Sequence, residues 1–226
     1  MMLGLRGTHR DERGFTLVEL VTSMTILSIV LTIVFTFLFS VQKAYEESAR
    51  RSQTNDQMRL AMEQLDHEIR SASAFSVVTN SNFNTAISSP TDRSRFFVAY
   101  TQTSAPTRDP GFNCIQWKLD SGKLYSRMWP LSWAQNLSKV TAWRTVATNL
   151  KTPTTGLTTD PAASYFMIPS TPAYGFRVVQ IKLVANVSTN GKSSNVVQTR
   201  SIDGRNVLST STTAGEPNPC TSSPPP

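Results

Sequence analysis

The chain has little of what most active sites are built from. Its 226 residues include two cysteines and two histidines. That is too few for a multi-ligand zinc centre or a disulfide-dense scaffold, and it leaves little for histidine-based catalysis. There is no nucleophile elbow, no phosphate-binding glycine loop, no paired-carboxylate motif and no internal repeat. The sequence therefore supports neither an enzyme nor a cofactor. Acidic residues are also in deficit, 15 against 22 Lys and Arg, for a net charge of +7 and a pI near 9.7. Hydrophobic residues make up 39% of the chain, below the usual globular share. They are nonetheless spread along the length in short aliphatic and aromatic clusters, which excludes disorder for most of it.

One stretch breaks that even spread. From Leu20 to Val41 no residue is charged, and nearly all are Leu, Ile, Val, Phe, Met, Thr or Ser. As helix the run extends about 33 Å, the thickness of a bilayer's hydrocarbon core. A secretory signal has a shorter apolar region, about 7–15 residues, and a small-residue cleavage site after it. Here the run is longer, and Gln42-Lys43-Ala44-Tyr45-Glu46-Glu47 follows. It reads as a retained membrane helix. Charge does not orient it, because Arg6, Arg10 and Arg13 before the span balance Lys43, Arg50 and Arg51 after it. Bulk is a better guide: a short leader containing His9 precedes the helix, and the folded mass of the chain follows.

Glu19 is the anomaly, one turn into an otherwise apolar helix. A carboxylate at membrane depth costs about 2.5–3.5 kcal/mol on insertion scales and is functional by default; at headgroup level the cost is far smaller. Position alone does not choose between these, but context does. Arg13-Gly14-Phe15-Thr16-Leu17-Val18-Glu19-Leu20 resembles the processing signature of type IV pilins and pseudopilins. That signature is a basic leader ending in Gly, a hydrophobic first mature residue, Thr or Ser, two aliphatic residues, Glu and Leu. The resemblance implies cleavage between Gly14 and Phe15 by a prepilin peptidase on the cytoplasmic face, and N-methylation of Phe15. It also implies a head outside the cytoplasm, an assembly platform in the membrane, and partners that are other pilins packed through the N-terminal helix. The new α-amino cation on Phe15 would lie one turn from Glu19. Between stacked helices an amine–carboxylate pair offsets two burial costs and sets axial register.

After the span, Glu46 to Gln57 is polar all round, held as helix by the i,i+4 pairs Glu46/Arg50 and Glu47/Arg51. Amphipathic periodicity then starts. Met58, Ala61, Met62, Leu65, Ile69 and Ala72 form one stripe, opposite Arg59, Glu63, Asp66 and Arg70. The pattern predicts helix from about Phe15 to Ala72, with the polar stretch as the place for bending. Leu65-Asp66-His67-Glu68-Ile69-Arg70-Ser71-Ala72 is similar to a pattern in the larger minor pilins (the PilW-like group) and in J-type pseudopilins.

From Phe75 the period changes to two. Phe96–Tyr100 reads as a strand. Ile115, Trp117 and Leu119 alternate with Gln116 and Lys118, and Asp120-Ser121-Gly122 turns the chain into Leu124–Trp129. A second hairpin runs from Val179 to Val187, turns at Asn190-Gly191 and returns through Val196, Val197 and Ile202. Arg205-Asn206 is similar to the pair that closes many pilin heads. Between Thr148 and Pro172 the Pro, Thr and Gly content predicts a long loop. The expected fold is α+β: a leader over 1–14, a transmembrane, filament-core helix over 15–41, an amphipathic helix over 42–73, an antiparallel β head over 74–208, and a disordered Ser/Thr/Pro tail over 209–226. A long N-terminal helix docked on such a sheet is what the resemblance also implies.

The remaining candidates are few. Cys114 lies in a strand and Cys220 in the tail; two free thiols and a disulfide are both open. The pilin resemblance points to a C-terminal disulfide loop, though with shorter spacing than here. His67 falls on the polar side of the helix as a solvated residue. Trp117, Trp129, Trp133 and Trp143 either fill the core of a small β domain or form a glycan-stacking surface, and the first is favoured. Asn136-Leu137-Ser138 and Asn186-Val187-Ser188 are formal glycosylation sequons. From Ala74 on, 14 Lys and Arg face 6 Asp and Glu, a surplus of 8 cations. They are scattered rather than in a run, which makes DNA a secondary partner. Three roles remain: a minor pilin in filament initiation or at the tip, a pilus-tip DNA or surface-ligand receptor, and a type II secretion pseudopilin.

Overall fold

Thr16 opens the long helix. Its hydroxyl accepts the Glu19 backbone N–H at 3.3 Å and its carbonyl accepts that of Leu20 at 3.2 Å, an N-cap that satisfies donors left over by the first turn. Helix α1 then runs Leu17–Ser71 with no proline to interrupt it. The computed structural model describes residues 16–78, 93–102, 111–154, 157–158, 160–169, 177–187, 195–207, 218–220 and 225. Phe15 thus lies outside the described residues, and Ala72, expected to close the helix, begins a strand instead. The polar stretch Glu46–Gln57 is helical throughout.

The chain divides into two compact units, 1–46 and 47–226. In the first, every described residue is exposed. In the second, the stripe read from the sequence is the core face: Met58, Ala61, Met62, Leu65, Ile69 and Ala72 are all buried.

Among the described residues the second unit has ten strands: β1 (Ala72–Val78), β2 (Arg93–Ser94), β3 (Phe96–Gln102), β4 (Phe112–Asp120), β5 (Lys123–Pro130), β6 (Arg144–Ala147), β7 (Leu157–Thr158), β8 (Tyr165–Met167), β9 (Val178–Asn186) and β10 (Asn195–Asp203). Short 3-10 turns at Leu131–Gln135 and Leu137–Lys139 separate β5 from β6. The head is antiparallel as expected, but it holds two five-stranded sheets rather than one. Their orders are β1-β3-β4-β5-β6 and β10-β9-β8-β2-β7.

The β4–β5 hairpin pairs Asp120 with Lys123 across Ser121 and Gly122, whose φ values are 47° and 75°. Two successive positive φ values make the tight turn whose twist matches the flanking strands. β9 and β10 pair over their full nine residues; the Asn190-Gly191 turn between them lies outside the described residues.

Two expectations need correction. The segment 148–172 contains β7 and β8 and is tied to β9 by Lys151 N–H to Val184 O at 2.7 Å and by the Leu150–Ala185 bridge. Strands of two and three residues are too short to show a period. The 209–226 segment is not a disordered tail where it is described. Cys220 is bonded to Cys114, and Asn218, Cys220 and Pro225 are buried. Composition favoured disorder, but a second apolar cluster needs a cover.

The main cluster fills the space between the α1 stripe and the inner faces of both sheets. Phe97, Ile115 and Trp117 enter it from the first sheet, and Phe166, Ile181 and Leu183 from the second. Each such side chain stabilises the fold by roughly 1.5–3 kcal/mol. The second cluster lies on the outer face of the first sheet, where Val78, Phe96, Val98, Cys114 and Trp129 pack with Cys220.

Candidate functional site

The amino-terminal segment combines a capped helix start, an acidic residue in the first turn and an apolar span. Gly14 and Phe15 lie outside the described residues, so the expected scissile bond is not seen. Glu19 sits in the first turn of α1, where the positive end of the helix dipole favours a carboxylate. Among the described residues that carboxylate enters no ion pair.

Beyond Glu19 the helix is apolar on every side. Leu20, Val21, Met24, Ile26, Leu27, Val30 and Phe37 are all exposed, and the span is long and apolar enough to cross a membrane. Six of the hydroxyls within it are already satisfied. Thr22 donates to Val18 O, Ser23 to Glu19 O, Thr25 to Thr22 O, Ser28 to Met24 O, Thr32 to Ser28 O and Thr36 to Thr32 O, at 2.7–3.0 Å. A hydroxyl bonded to its own helix carries little desolvation cost into an apolar medium. Burying this surface needs lipid or other helices.

In the second unit a cavity of about 580 Å³ lies between α1 and the first sheet. Gln64, His67, Glu68, Ile115, Met128 and Arg144 are among its lining residues. Glu68 is 7% exposed. Its carboxylate accepts the Trp117 indole N–H at 2.7 Å and the Gln64 amide at 2.9 Å, while Gln64 Oε1 accepts from Arg144 at 2.8 Å. Burial pushes its pKa up to about 7, against the opposing pull of the two hydrogen bonds and Arg144. Sequence reasoning passed over Glu68, although it lies three residues after Leu65 and four before Ala72 and so falls on the apolar stripe. His67, read as solvated, is exposed.

On the outer face of the first sheet Gln116 and Arg127, opposite each other in β4 and β5, are both buried. Trp133, Cys220 and Pro225 help cover this face. Arg127 Nε donates to Gln116 Oε1 at 2.8 Å, and Arg127 Nη2 to the Pro225 carbonyl at 3.0 Å. Burial lowers the Arg127 pKa. Of the four tryptophans, Trp117 and Trp129 are fully buried and Trp133 and Trp143 half-buried. No tryptophan is openly exposed.

A family model for the prokaryotic N-terminal methylation motif matches residues 9–35. No curated protein and no solved structure matches the chain. The matched stretch covers the end of the leader, Gly14, Phe15, Glu19 and the apolar span as far as Phe35. The chain therefore carries the type IV pilin-like prepilin signature, ahead of a long helix and antiparallel sheets, the α+β arrangement of a pilin-like protein. The motif and the apolar helix together support anchoring in a membrane.

Proposed function

We propose that the chain is a minor pilin or pseudopilin: a structural, non-enzymatic subunit that enters a type IV pilus-like filament through its N-terminal helix and acts in initiation or at the tip. The observation that carries this reading is the all-round apolar span starting at Glu19 within the matched motif. Prepilin peptidase would cut after Gly14 on the cytoplasmic side, leaving the head outside the cytoplasm. The Phe15 amine of one subunit would then pair with Glu19 of its neighbour and fix the stagger of two otherwise slippery helices. A head of two sheets is bulky for close packing around a shaft, which favours a minor over a major subunit. The similarity of Leu65–Ala72 to the PilW-like and J-type groups supports the same assignment.

DNA capture at the tip ranks second. Much of the head's positive charge is already engaged: Arg95 and Lys118 with Asp120, Arg177 with Asp203, Arg200 with Asp66, Arg144 with Gln64, and Lys182 with the Pro161 carbonyl. A type II secretion role uses the same helix chemistry and differs in its neighbours.

Mass spectrometry of the mature amino terminus, paired with Glu19→Val, tests the proposal. We expect a chain that begins at methylated Phe15, and a Glu19→Val variant that is processed but depleted from sheared filaments at least about tenfold, the cost of removing one buried charge partner. A chain retaining Met1 in cells with active peptidase overturns the reading. Equal incorporation of Glu19→Val removes the register role.

A further inference from the structure

We propose that the cavity between α1 and the first sheet binds a free α-amino acid with an apolar side chain, its ammonium held by Glu68 and Ser126 and its carboxylate by Arg144. The site begins with a row of three residues across the sheet. Trp117 in β4 lies opposite Ser126 in β5, which lies opposite Arg144 in β6, so all three point to one face. The two ends of that row bond α1: Trp117 donates to Glu68 at 2.7 Å and Arg144 to Gln64 at 2.8 Å. The middle does not. Ser126 is 6% exposed, lines the cavity, and its hydroxyl makes no hydrogen bond among the described residues. A buried hydroxyl without a partner is costly. The cavity, about 580 Å³, has room for far more than the single water that Ser126 would need, and its size is that of a small-molecule site.

Charge selects the class of ligand. Glu68 and Arg144 are the acid and the base that meet here, and neither enters an ion pair among the described residues. The Gln64 amide stands between them, donating to Glu68 Oε1 at 2.9 Å and accepting from Arg144 Nη2. A lone cation would meet Arg144, and a lone anion would meet Glu68. A ligand carrying both charges satisfies both groups. One amide group spans the gap, so the two charges of the ligand must lie close together. They do on the single α-carbon of an amino acid, and they do not at the two ends of a peptide. Ser126, donor and acceptor at once, takes one ammonium hydrogen. Ile115 and Met128 line the remaining wall and suit an apolar side chain.

A bound ammonium favours the ionised form of Glu68, whose pKa burial otherwise lifts to about 7. Binding therefore releases a proton, and affinity rises as pH passes upward through that value. The other titratable or charged groups lining the cavity are Arg127 and Arg144, cationic throughout this range, and His67, which is exposed.

Titration calorimetry on the full chain in detergent tests this, with L-phenylalanine and L-leucine as probes. We expect saturable binding at pH 8 that weakens about tenfold at pH 6, as the ionised fraction of Glu68 falls in that ratio. Phenethylamine and 3-phenylpropionate each lack one of the two charges and should bind at least about tenfold more weakly than phenylalanine. Glu68→Gln should abolish binding. Arg144→Gln, at an exposed position, should weaken it about tenfold in a folded chain, and carries the test if Glu68→Gln fails to fold. His67→Gln should keep the pH dependence. No saturable binding of either amino acid, equal binding of either analogue, or full binding by folded Glu68→Gln or Arg144→Gln would each overturn the proposal. So would a pH dependence that is flat, reversed or lost in His67→Gln.

Discussion

Raising the pH from 5 to 8 should loosen the head through one carboxyl group. Glu68 is buried between α1 and the first sheet with Trp117 and Gln64 as donors, and burial lifts its pKa from 4.5 to about 7. Between those values the folded chain binds a proton that the unfolded chain has released, so stability falls as pH rises. The contribution is fully present below 4.5 and is lost as pH passes through about 7. That gap corresponds to about 3 kcal/mol, a large part of a typical domain's stability. Asp66 works in the opposite sense outside this window. Its pKa is lowered, chiefly by the Arg70 hydrogen bond, so its contribution holds above 3.8 and is lost in stronger acid. Urea unfolding of the full chain in detergent, read by tryptophan fluorescence at pH 5, 6, 7 and 8, measures the effect. At slopes of about 1–3 kcal/mol/M the midpoint should drop by about 1–3 M across the series. Glu68→Gln removes the titrating group and should flatten the profile. A wild-type midpoint that is constant or rising, or a Glu68→Gln profile with the same slope, would refute the reasoning.

Three further substitutions probe the packing. Leu65→Ala, at a fully buried position of the α1 stripe, should cost about 2–5 kcal/mol by the same urea assay, and a loss under 1 kcal/mol would mean the helix face is not core. Gly204→Ala would place a Cβ 2.7 Å from Phe75 Cε1 and 2.8 Å from Val207 Cγ2, so overpacking should cost about 1–3 kcal/mol where an exposed glycine would gain. Replacing Cys114 and Cys220 together by Ala opens a loop with a sequence separation of 106; the expected loss is about 2–5 kcal/mol in oxidising buffer, vanishing when wild type and variant are compared in reductant.

Much of this was legible before any coordinates because the strongest signals are periodic. Met58 to Ile69 repeats at helical spacing over three turns, and Ile115, Trp117 and Leu119 alternate cleanly, so α1 and β4 followed from pattern alone. The two-residue turn at Ser121-Gly122 likewise needed only local chemistry. What stayed hidden depends on long-range covering. β7 and β8 are short strands inside a polar segment, held there by pairing with β2 and, for β8, β9, and no local window reports such distant partners. The burial of Gln116 and Arg127 could not be read from pattern, because alternation cannot tell an open sheet face from a covered one. The cover itself, around Cys220 and Pro225, has the composition of a disordered tail and is ordered by a covalent bond and one arginine. Glu68 escaped for a related reason: a carboxylate on an apolar stripe looks like a break in the pattern until Trp117 is placed opposite it.

The amino-terminal site follows a different logic, in which the sequence states the chemistry and the structure supplies the energetic argument. Leu20 to Val41 presents apolar side chains in every direction, so no single docking face exists and the whole circumference requires an apolar medium. Six of the hydroxyls that would resist such a medium, those of Thr22, Ser23, Thr25, Ser28, Thr32 and Thr36, each bond a carbonyl of their own helix. Glu19 receives no such treatment. Its backbone is capped by Thr16, but its carboxylate has no cation among the described residues. Under the proposed assembly, that carboxylate at the first turn is where a neighbouring subunit's amine would pair, and depletion of Glu19→Val from filaments is the outcome that distinguishes this role from anchoring alone.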